Sequence, residues 1–335
     1  MQETRIVIVS PALHEANNGN WRTARRWQQL LSPQVAVRIV SQWPDLQASG
    51  RDRVMLALHA RRSAPSIRAW AGARDRDVPG LAVVLTGTDL YRDIQDDHDA
   101  RTSLRLAQHL VTLQECGPAA LPARLRPKAR VILQSTTPRR PLTKTARHLR
   151  VLVVGHLRDE KAPQTVFELA RLLRRHHDIR IDHIGAALDP ALGRLALQTA
   201  RSCAGYRWLG SQPHEATRRR IQRAHVLLHP SRIEGGAHVV MEAVRSGTAV
   251  VASRVDGNVG MLGRDYEAYF PLGDAEYAAG LLLQCRQEPS APGGGLLGRL
   301  MVQCQARAPL FEKARERALL HRLVAELMAP RSVIA

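Results

Sequence analysis

The sequence predicts two parallel α/β halves joined by one linker. Short β-branched runs alternate with longer helical patterns along the chain, the mark of consecutive βαβ units. That rhythm breaks once, at Thr136-Thr137-Pro138-Arg139-Arg140-Pro141-Leu142-Thr143-Lys144, a polar, proline-bearing stretch without periodicity, and then restarts. The length of 335 residues is about twice that of a usual single domain.

In chain order, Arg5 to Val9 reads as the first strand and Trp21 to Leu31 as the helix after it. Val35 to Val40, Val54 to Leu58, Ala82 to Leu85, Leu110 to Leu113 and Arg130 to Leu133 read as further strands. Beyond the linker, strands are expected at Val151 to Val154, Arg180 to Ile184, Tyr206 to Leu209, Val226 to His229 and Ala249 to Ser253. A Gly/Pro-rich loop, Pro289 to Gly295, precedes helical pattern from Leu310 to Leu327. In open parallel sheets ligands bind beyond the carboxyl ends of the strands, so the strand-to-helix loops are where chemistry is sought.

Composition narrows the class. Hydrophobic residues at 44% and charged residues at 24% exclude a mostly disordered or fibrous chain. The longest apolar runs, such as Leu81 to Leu85, fall far short of the roughly 20 residues of a membrane span. Met1-Gln2-Glu3-Thr4-Arg5 leads into an apolar run too short for a signal peptide, so a cytoplasmic location is expected. The net charge is +19, with only four lysines (Lys128, Lys144, Lys161, Lys313) against forty-five arginines. Such a surplus attracts nucleic acid, phosphates or nucleotide sugars. The arginines are spread along the whole chain, aromatic content is 4%, and no recognition motif is present. A nucleic-acid partner is therefore disfavoured. Cys116, Cys203, Cys285 and Cys304 form no CxxC pair, and they read as reduced and structural.

The most informative stretch is Pro230-Ser231-Arg232-Ile233-Glu234-Gly235-Gly236-Ala237-His238-Val239-Val240-Met241-Glu242-Ala243, after the apolar Val226-Leu227-Leu228. Paired glycines at a helix start let a ligand approach backbone N–H groups, where the helix dipole favours phosphate. Glu234 in the loop and Glu242 in the helix stand eight positions apart. A carboxylate beside a nucleotide sugar accepts hydrogen bonds from paired hydroxyls, as a ribose diol requires.

Glu234 and Glu242 form the E-x7-E pattern of the GT-B glycosyltransferases often called family 4, and the stretch resembles theirs. The resemblance implies two Rossmann-like domains facing a central cleft. It assigns Glu242 to the ribose and Glu234 to the donor sugar. Val151-Leu152-Val153-Val154-Gly155-His156-Leu157-Arg158-Asp159-Glu160-Lys161 resembles that family's strand-loop, in which an Arg and a Lys clamp the donor diphosphate. The leaving diphosphate gains charge as the glycosidic bond breaks, so fixed cations there lower the barrier. Arg158, Lys161 and Glu234 are thus the expected catalytic set. Gly155, Gly210, Ser231, Gly235, Gly236, Ala237 and Glu242 complete the donor site, with Leu209-Gly210-Ser211 near the base.

More of the chain resembles a narrower group, the selenosugar synthases of selenoneine biosynthesis. Leu58-His59-Ala60-Arg61-Arg62-Ser63-Ala64, Leu85-Thr86-Gly87-Thr88-Asp89-Leu90-Tyr91, Gly185-Ala186-Ala187-Leu188-Asp189-Pro190, Tyr206-Arg207-Trp208-Leu209-Gly210, Gly257-Asn258-Val259-Gly260 and Tyr269-Phe270-Pro271 carry the likeness. It runs from Ile6 to about Leu323. Gly155-His156-Leu157-Arg158 departs from the Gly-Arg-Leu common in the wider group. The resemblance implies transfer of a hexosyl group from UDP-glucose or UDP-N-acetylglucosamine to selenophosphate, giving a 1-selenosugar with loss of phosphate. It implies an acceptor domain over residues 1–140, a donor domain over 149–308, and a C-terminal helix 310–327 that packs back onto the first. No metal or other cofactor and no membrane are expected as partners.

The acceptor is a small anion. Asn17-Asn18-Gly19-Asn20-Trp21-Arg22-Thr23 is a polar loop leading into a helix, and His59-Ala60-Arg61-Arg62-Ser63 follows a strand. Ser63 is placed to cap the next helix, with Pro65 in its first turn. Arginine binds phosphate fork-on. Gly19, Asn20, Thr23, His59, Arg61, Arg62, Ser63, Thr86 and Asp89 are the expected acceptor residues, with helix capping as the rival role for Asp89. Selenophosphate selenium is already anionic, so no general base is required, whereas a hydroxyl acceptor, the alternative, needs one. Among the histidines, His14, His59, His156 and His238 lie near these loops but have no assigned chemistry. Asp75-Arg76-Asp77, a D-x-D triplet, reads as solvated charge rather than a metal site.

Overall fold

The computed structural model describes residues 5–11, 19–48, 50–74, 80–287 and 294–329. The chain divides into two compact units, Met1–Ser135 with Lys313–Ala335, and Thr136–Glu312.

The first unit holds β1 (Arg5–Val9), α1 (Gly19–Leu31), β2 (Ala36–Val40), β3 (Asp52–Leu58), α2 (Ala64–Gly72), β4 (Leu81–Leu85), α3 (Ile94–Asp96), α4 (His98–Leu106), β5 (His109–Thr112), α5 (Gly117–Ala120) and β6 (Ala129–Val131). Its strands form one parallel sheet in the order β2-β1-β3-β4-β5-β6. Side chains alternate across that sheet and build a core on each face. Val7, Val9, Met55 and Val83 pack with Ile67, Trp70 and Leu104 of α2 and α4. Ile6, Ile8, Val54 and Leu56 pack with Trp27 and Leu30 of α1 and with Leu320, Leu323 and Leu327.

The second unit holds β7 (Leu149–Val154), α6 (Pro163–Leu172), β8 (Ile179–Ile184), α7 (Pro190–Ser202), β9 (Tyr206–Trp208), α8 (His214–Arg223), β10 (Val226–His229), α9 (His238–Val244), β11 (Ala249–Ser253), α10 (Asp256–Leu262), β12 (Tyr269–Phe270), α11 (Ala275–Gln287) and α12 (Gly295–Arg307). Its parallel sheet runs β12-β11-β10-β7-β8-β9. A last helix, α13 (Lys313–Met328), belongs to the first unit and packs on α1 and β3.

Strands β1 to β11 lie within two residues of their sequence expectation, and β12 has no expected counterpart. The helix expected from Leu310 to Leu327 is instead two pieces, a 3₁₀ turn Ala308–Phe311 and α13, separated by Glu312 in extended conformation. The polar segment after Ser135 has no regular structure yet is tied down within the second unit. Arg218 donates to the Thr137 carbonyl at 2.6 Å, Arg139 N–H to the Arg245 carbonyl at 2.9 Å, and Gln222 to the Arg140 carbonyl at 2.7 Å. Cys116, Cys203, Cys285 and Cys304 are free thiols, three of them buried. Among the described residues no helix is long and apolar enough to cross a membrane.

Candidate active site

In the second sheet the chain adds β8 and β9 on one side of β7, then crosses to place β10 on the other. The loops after β7 and β10 therefore diverge at a topological switch point, where open parallel sheets bind ligands. Gly155, Arg158 and Lys161 lie in the first of these loops; Ser231, Glu234, Gly235, Gly236 and Ala237 lie in the second.

The loops are laced together. Arg232 N–H donates to the Glu160 carbonyl at 2.9 Å, and Lys161 Nζ donates to Glu234 Oε1 at 2.5 Å. Lys161 ends a 3₁₀ turn, Asp159–Lys161, that Ala162 closes at φ 45°, a left-handed conformation costing an alanine about 1–2 kcal/mol. Glu234 is 7% exposed. Burial pushes its carboxyl up, but the Lys161 ammonium and His229 imidazole outweigh this and hold it well below the usual carboxylate range. His229, the buried last residue of β10, places Nε2 3.0 Å from Glu234 Oε1, off the axis of a straight hydrogen bond. Of the two expected diphosphate cations, Lys161 is thus paired, while the Arg158 side chain is 45% exposed and, among the described residues, has only Glu160, at 3.9 Å, as carboxylate neighbour.

Glu242 is 4% exposed on α9, and its Oε1 lies 2.7 Å from His214 Nε2 on the first turn of α8. Its other oxygen is left for a further donor. Gly210, at φ 63° after β9, has open space on its Cβ side, and its carbonyl accepts from Gly185 N–H at 2.9 Å. Ser231 is buried; its carbonyl accepts from Ser253 Oγ at 2.6 Å.

Gly235 and Gly236 stand immediately ahead of helix α9, which begins at His238 with Ala237 as its N-cap residue, and the Ala237 N–H is already taken by Met261 Sδ at 3.1 Å. The glycines lie in the loop that carries Glu234 to Lys161. Gly257 makes that approach possible: a Cβ there would stand 2.1 Å from the Glu234 carbonyl oxygen and 2.5 Å from its Cβ.

The first sheet has its own switch point, between β1 and β3. His59, Arg61, Arg62 and Ser63 follow β3, Thr86 and Asp89 follow β4, and Gly19, Asn20 and Thr23 open α1. His14, Asn17, Asn18, the Asp75-Arg76-Asp77 triplet and most of the Pro289 to Gly295 loop lie outside the described residues. His59 is buried at φ 73°, rare for a residue with a side chain and a mark of functional sites. Burial lowers its pKa, partly opposed by Asp89. Asp89 is fully buried and accepts from Ala60 N–H (2.9 Å), Thr86 N–H (2.7 Å) and Thr86 Oγ1 (2.8 Å). Burial pushes its carboxyl up.

These bonds correct part of the expectation. Ser63 does not cap α2; its hydroxyl donates to the Leu58 carbonyl at 2.6 Å. Thr23 donates to the Gly19 carbonyl at 2.9 Å and accepts from Gln134 at 2.7 Å. Thr86 and Asp89 bind each other, so Asp89 braces two loops rather than capping a helix. Arg61 and Arg62 are the outward cations: Arg61 Nε lies 3.0 Å from Asp93 and its side chain is 43% exposed, and Arg62 is exposed.

Sequence reasoning missed His229, His214 and Gly257 as site residues. A histidine ending the central strand of a switch point was a usable signal for His229. Nothing in the spacing linked His214 to a glutamate 28 positions later.

Residues 135–283 match the family described as glycosyl transferases group 1. That match falls almost wholly on the second unit. In fold, the whole chain is similar to sucrose-phosphate synthase from Thermosynechococcus elongatus, with 17% identity over 97% of this chain and 99% of that one and a TM-score of 0.76. It is also similar to Anabaena HepE in complex with UDP and glucose, with 13% identity, 96% and 100% coverage and a TM-score of 0.71. The same Anabaena protein in complex with UDP-glucose gives 13% identity, 96% and 100% coverage and a TM-score of 0.70. No curated protein matches the chain in sequence. The likeness to these structures gives the chain its fold class, GT-B, two parallel-sheet α/β domains.

Proposed function

We propose that this glycosyltransferase moves a hexosyl group from a UDP-sugar, UDP-glucose or UDP-N-acetylglucosamine, to selenophosphate. The observation that carries the donor half is the cation–carboxylate pair Lys161–Glu234 at the β7/β10 switch point, with Glu242 one helix away. Lys161 keeps two ammonium protons beyond the one on Glu234, and with exposed Arg158 it provides charge for the departing diphosphate. Glu242, oriented by His214, accepts from a ribose diol, and Glu234 accepts from a donor-sugar hydroxyl. HepE, solved with UDP-glucose, supports a UDP-sugar as donor.

The acceptor half rests on the likeness to selenosugar synthases and on Arg61 and Arg62 at the first unit's switch point. A selenium lone pair of selenophosphate attacks the anomeric carbon. The C–Se bond forms as the C–O bond to UDP breaks, and UDP leaves with that electron pair. Water then cleaves the Se–P bond, releasing inorganic phosphate and the 1-selenosugar. No base is needed for the attack.

The test follows UDP release from each UDP-sugar with and without selenophosphate, alongside mass spectra of the products. Selenophosphate-dependent release with a selenium isotope pattern in the sugar product is expected. Equal release without selenophosphate, or transfer only to a hydroxyl compound, rules out the acceptor reading.

A further inference from the structure

We propose that the second unit carries another anion site, at the amino ends of β7, β8 and β9, for a small ligand bearing two or more phosphate groups. Strands of a parallel sheet covered on both faces read as continuous apolar runs. These three do not. Ile179, Ile181, His183 and Tyr206 are buried on the face that meets α6 and α7, while Arg150, Arg180 and Arg207 alternate with them and are exposed. On that open face α8 packs at β7. Between the helix and the sheet lies a concave cavity of about 560 Å³, into whose lining α8 adds Arg219, Arg220 and Arg223.

The charge inside is not balanced. Asp182 pairs with Arg207 (2.7 Å) and Arg220 (3.2 Å), and Glu215 with Arg219 (3.2 Å). Among the described residues Arg150, Arg180 and Arg223 have no carboxylate partner. Arg150 and Arg180 are also direct neighbours in the β7–β8 register, an arrangement of like charges that destabilises a sheet. His148 on the same wall has its pKa lowered by burial and by Arg180 and Arg150. An anion repairs this deficit. Guanidinium forks match phosphate oxygens bidentately, and the cavity has the volume of a nucleotide-sized site rather than of a duplex groove. Arg150 and Gly155 are five residues apart along β7, roughly 16 Å at strand rise, so the ligand would not overlap a UDP-sugar.

Calorimetric titration of tripolyphosphate into the full chain saturated with UDP, at 150 mM salt, tests the site. One equivalent should bind. The Arg150→Gln/Arg180→Gln variant should lose at least tenfold in affinity, and the charge-matched Arg124→Gln/Arg194→Gln variant should not. Thermal melting of both variants checks that they fold. A parallel titration with ATP separates the two sources of this chemistry: tighter, Arg150-dependent binding points to a nucleotide, tripolyphosphate binding alone to inorganic polyphosphate. Absence of binding of both probes, or equal losses in the two double variants, overturns the proposal. The site does not depend on the donor reading; if UDP fails to bind, the same variants decide it with Lys161→Ala as background.

Discussion

Lys161 and Glu234 stand 73 positions apart, yet the lysine holds the glutamate in its charged form. Replacing Lys161 with Met leaves a buried carboxylate facing His229 alone, and breaking a buried pair in this way costs about 3–5 kcal/mol. Glu234 has a depressed folded pKa, so its contribution to stability is complete above the ordinary carboxylate pKa of about 4.3 and fades as pH falls below it. In Lys161→Met the folded pKa rises while the unfolded one stays, so this acid-dependent loss should shrink or reverse, which urea melts taken across pH 3 to 7 would show; curves parallel to the parent's would contradict the pairing. Two further substitutions separate the substrates. Loss of a hydrogen bond to a charged group is worth about 1.5–3 kcal/mol, so Glu242→Ala should raise KM for the UDP-sugar by roughly ten- to a hundredfold. Arg61→Ala with Arg62→Ala should do the same for selenophosphate while leaving UDP-sugar affinity unchanged. Normal turnover by the double arginine variant removes those residues from the acceptor site.

At the scale of elements, close backbone approach sets the site. Gly257 lets α10 pack against Glu234, and Gly185, at φ 156°, lets β8 approach the end of β7, where a Cβ would stand 1.9 Å from the Gly155 carbonyl oxygen. Gly257→Ala therefore pushes backbone against backbone. It should lower UDP affinity at least tenfold, read by calorimetry, although it adds only one methyl and no charge. The strands also carry a pH limit. Burial brings the His183 imidazole down to about 4, partly offset by a hydrogen bond with the Gly155 backbone, and Nδ1 lies 3.1 Å from the Tyr206 hydroxyl. Because this folded pKa lies below the unfolded one, the unfolded chain binds the proton first. Stability should fall by about 3 kcal/mol as pH drops from 6.5 to 4. His225, also brought down to about 4 by burial, adds to the trend in the same direction. It accepts from Arg150 N–H at Nδ1 (2.9 Å) while Nε2 faces the Thr145 carbonyl (3.0 Å), so a second ring proton has no acceptor. Acid melts of the parent and His183→Gln should diverge over this window.

At the scale of the molecule, α13 returns the chain to the first unit, and Glu316 holds it there. This fully buried carboxylate accepts from Trp27 Nε1 (2.8 Å), Arg26 Nε (3.1 Å), Ser135 N–H (2.7 Å) and Ser135 Oγ (2.5 Å). Glu316→Ala strands all four donors and should cost the first unit about 3–5 kcal/mol, measured by denaturant unfolding followed through tryptophan emission. A cost under 1 kcal/mol would mean that water replaces the carboxylate. Nothing in the sequence marks Glu316, which sits among Lys313, Arg315 and Arg317 like any solvated helix residue. The stretch from Thr136 to Lys144 is the converse case. Its composition reads as a free linker, but its carbonyls and N–H groups are bound by α8 and by the end of α9, contacts that no local pattern encodes.

The sequence by itself determined the strand–helix rhythm, the restart after Ser135 and the loops that hold Gly155, Lys161, Glu234 and Glu242. Periodicity of apolar residues is a local property, and it survives in one dimension. Only the tertiary structure decided strand order, and with it the switch points that bring Lys161 to Glu234 and leave Arg150 beside Arg180. It also decided which polar groups are already satisfied: Ser63, Thr23, Thr86 and Asp89 bond inward, while Arg61 and Arg62 face outward. A hydrogen bond between residues far apart in the chain depends on how close the fold brings two backbones, and side-chain type alone does not carry that distance.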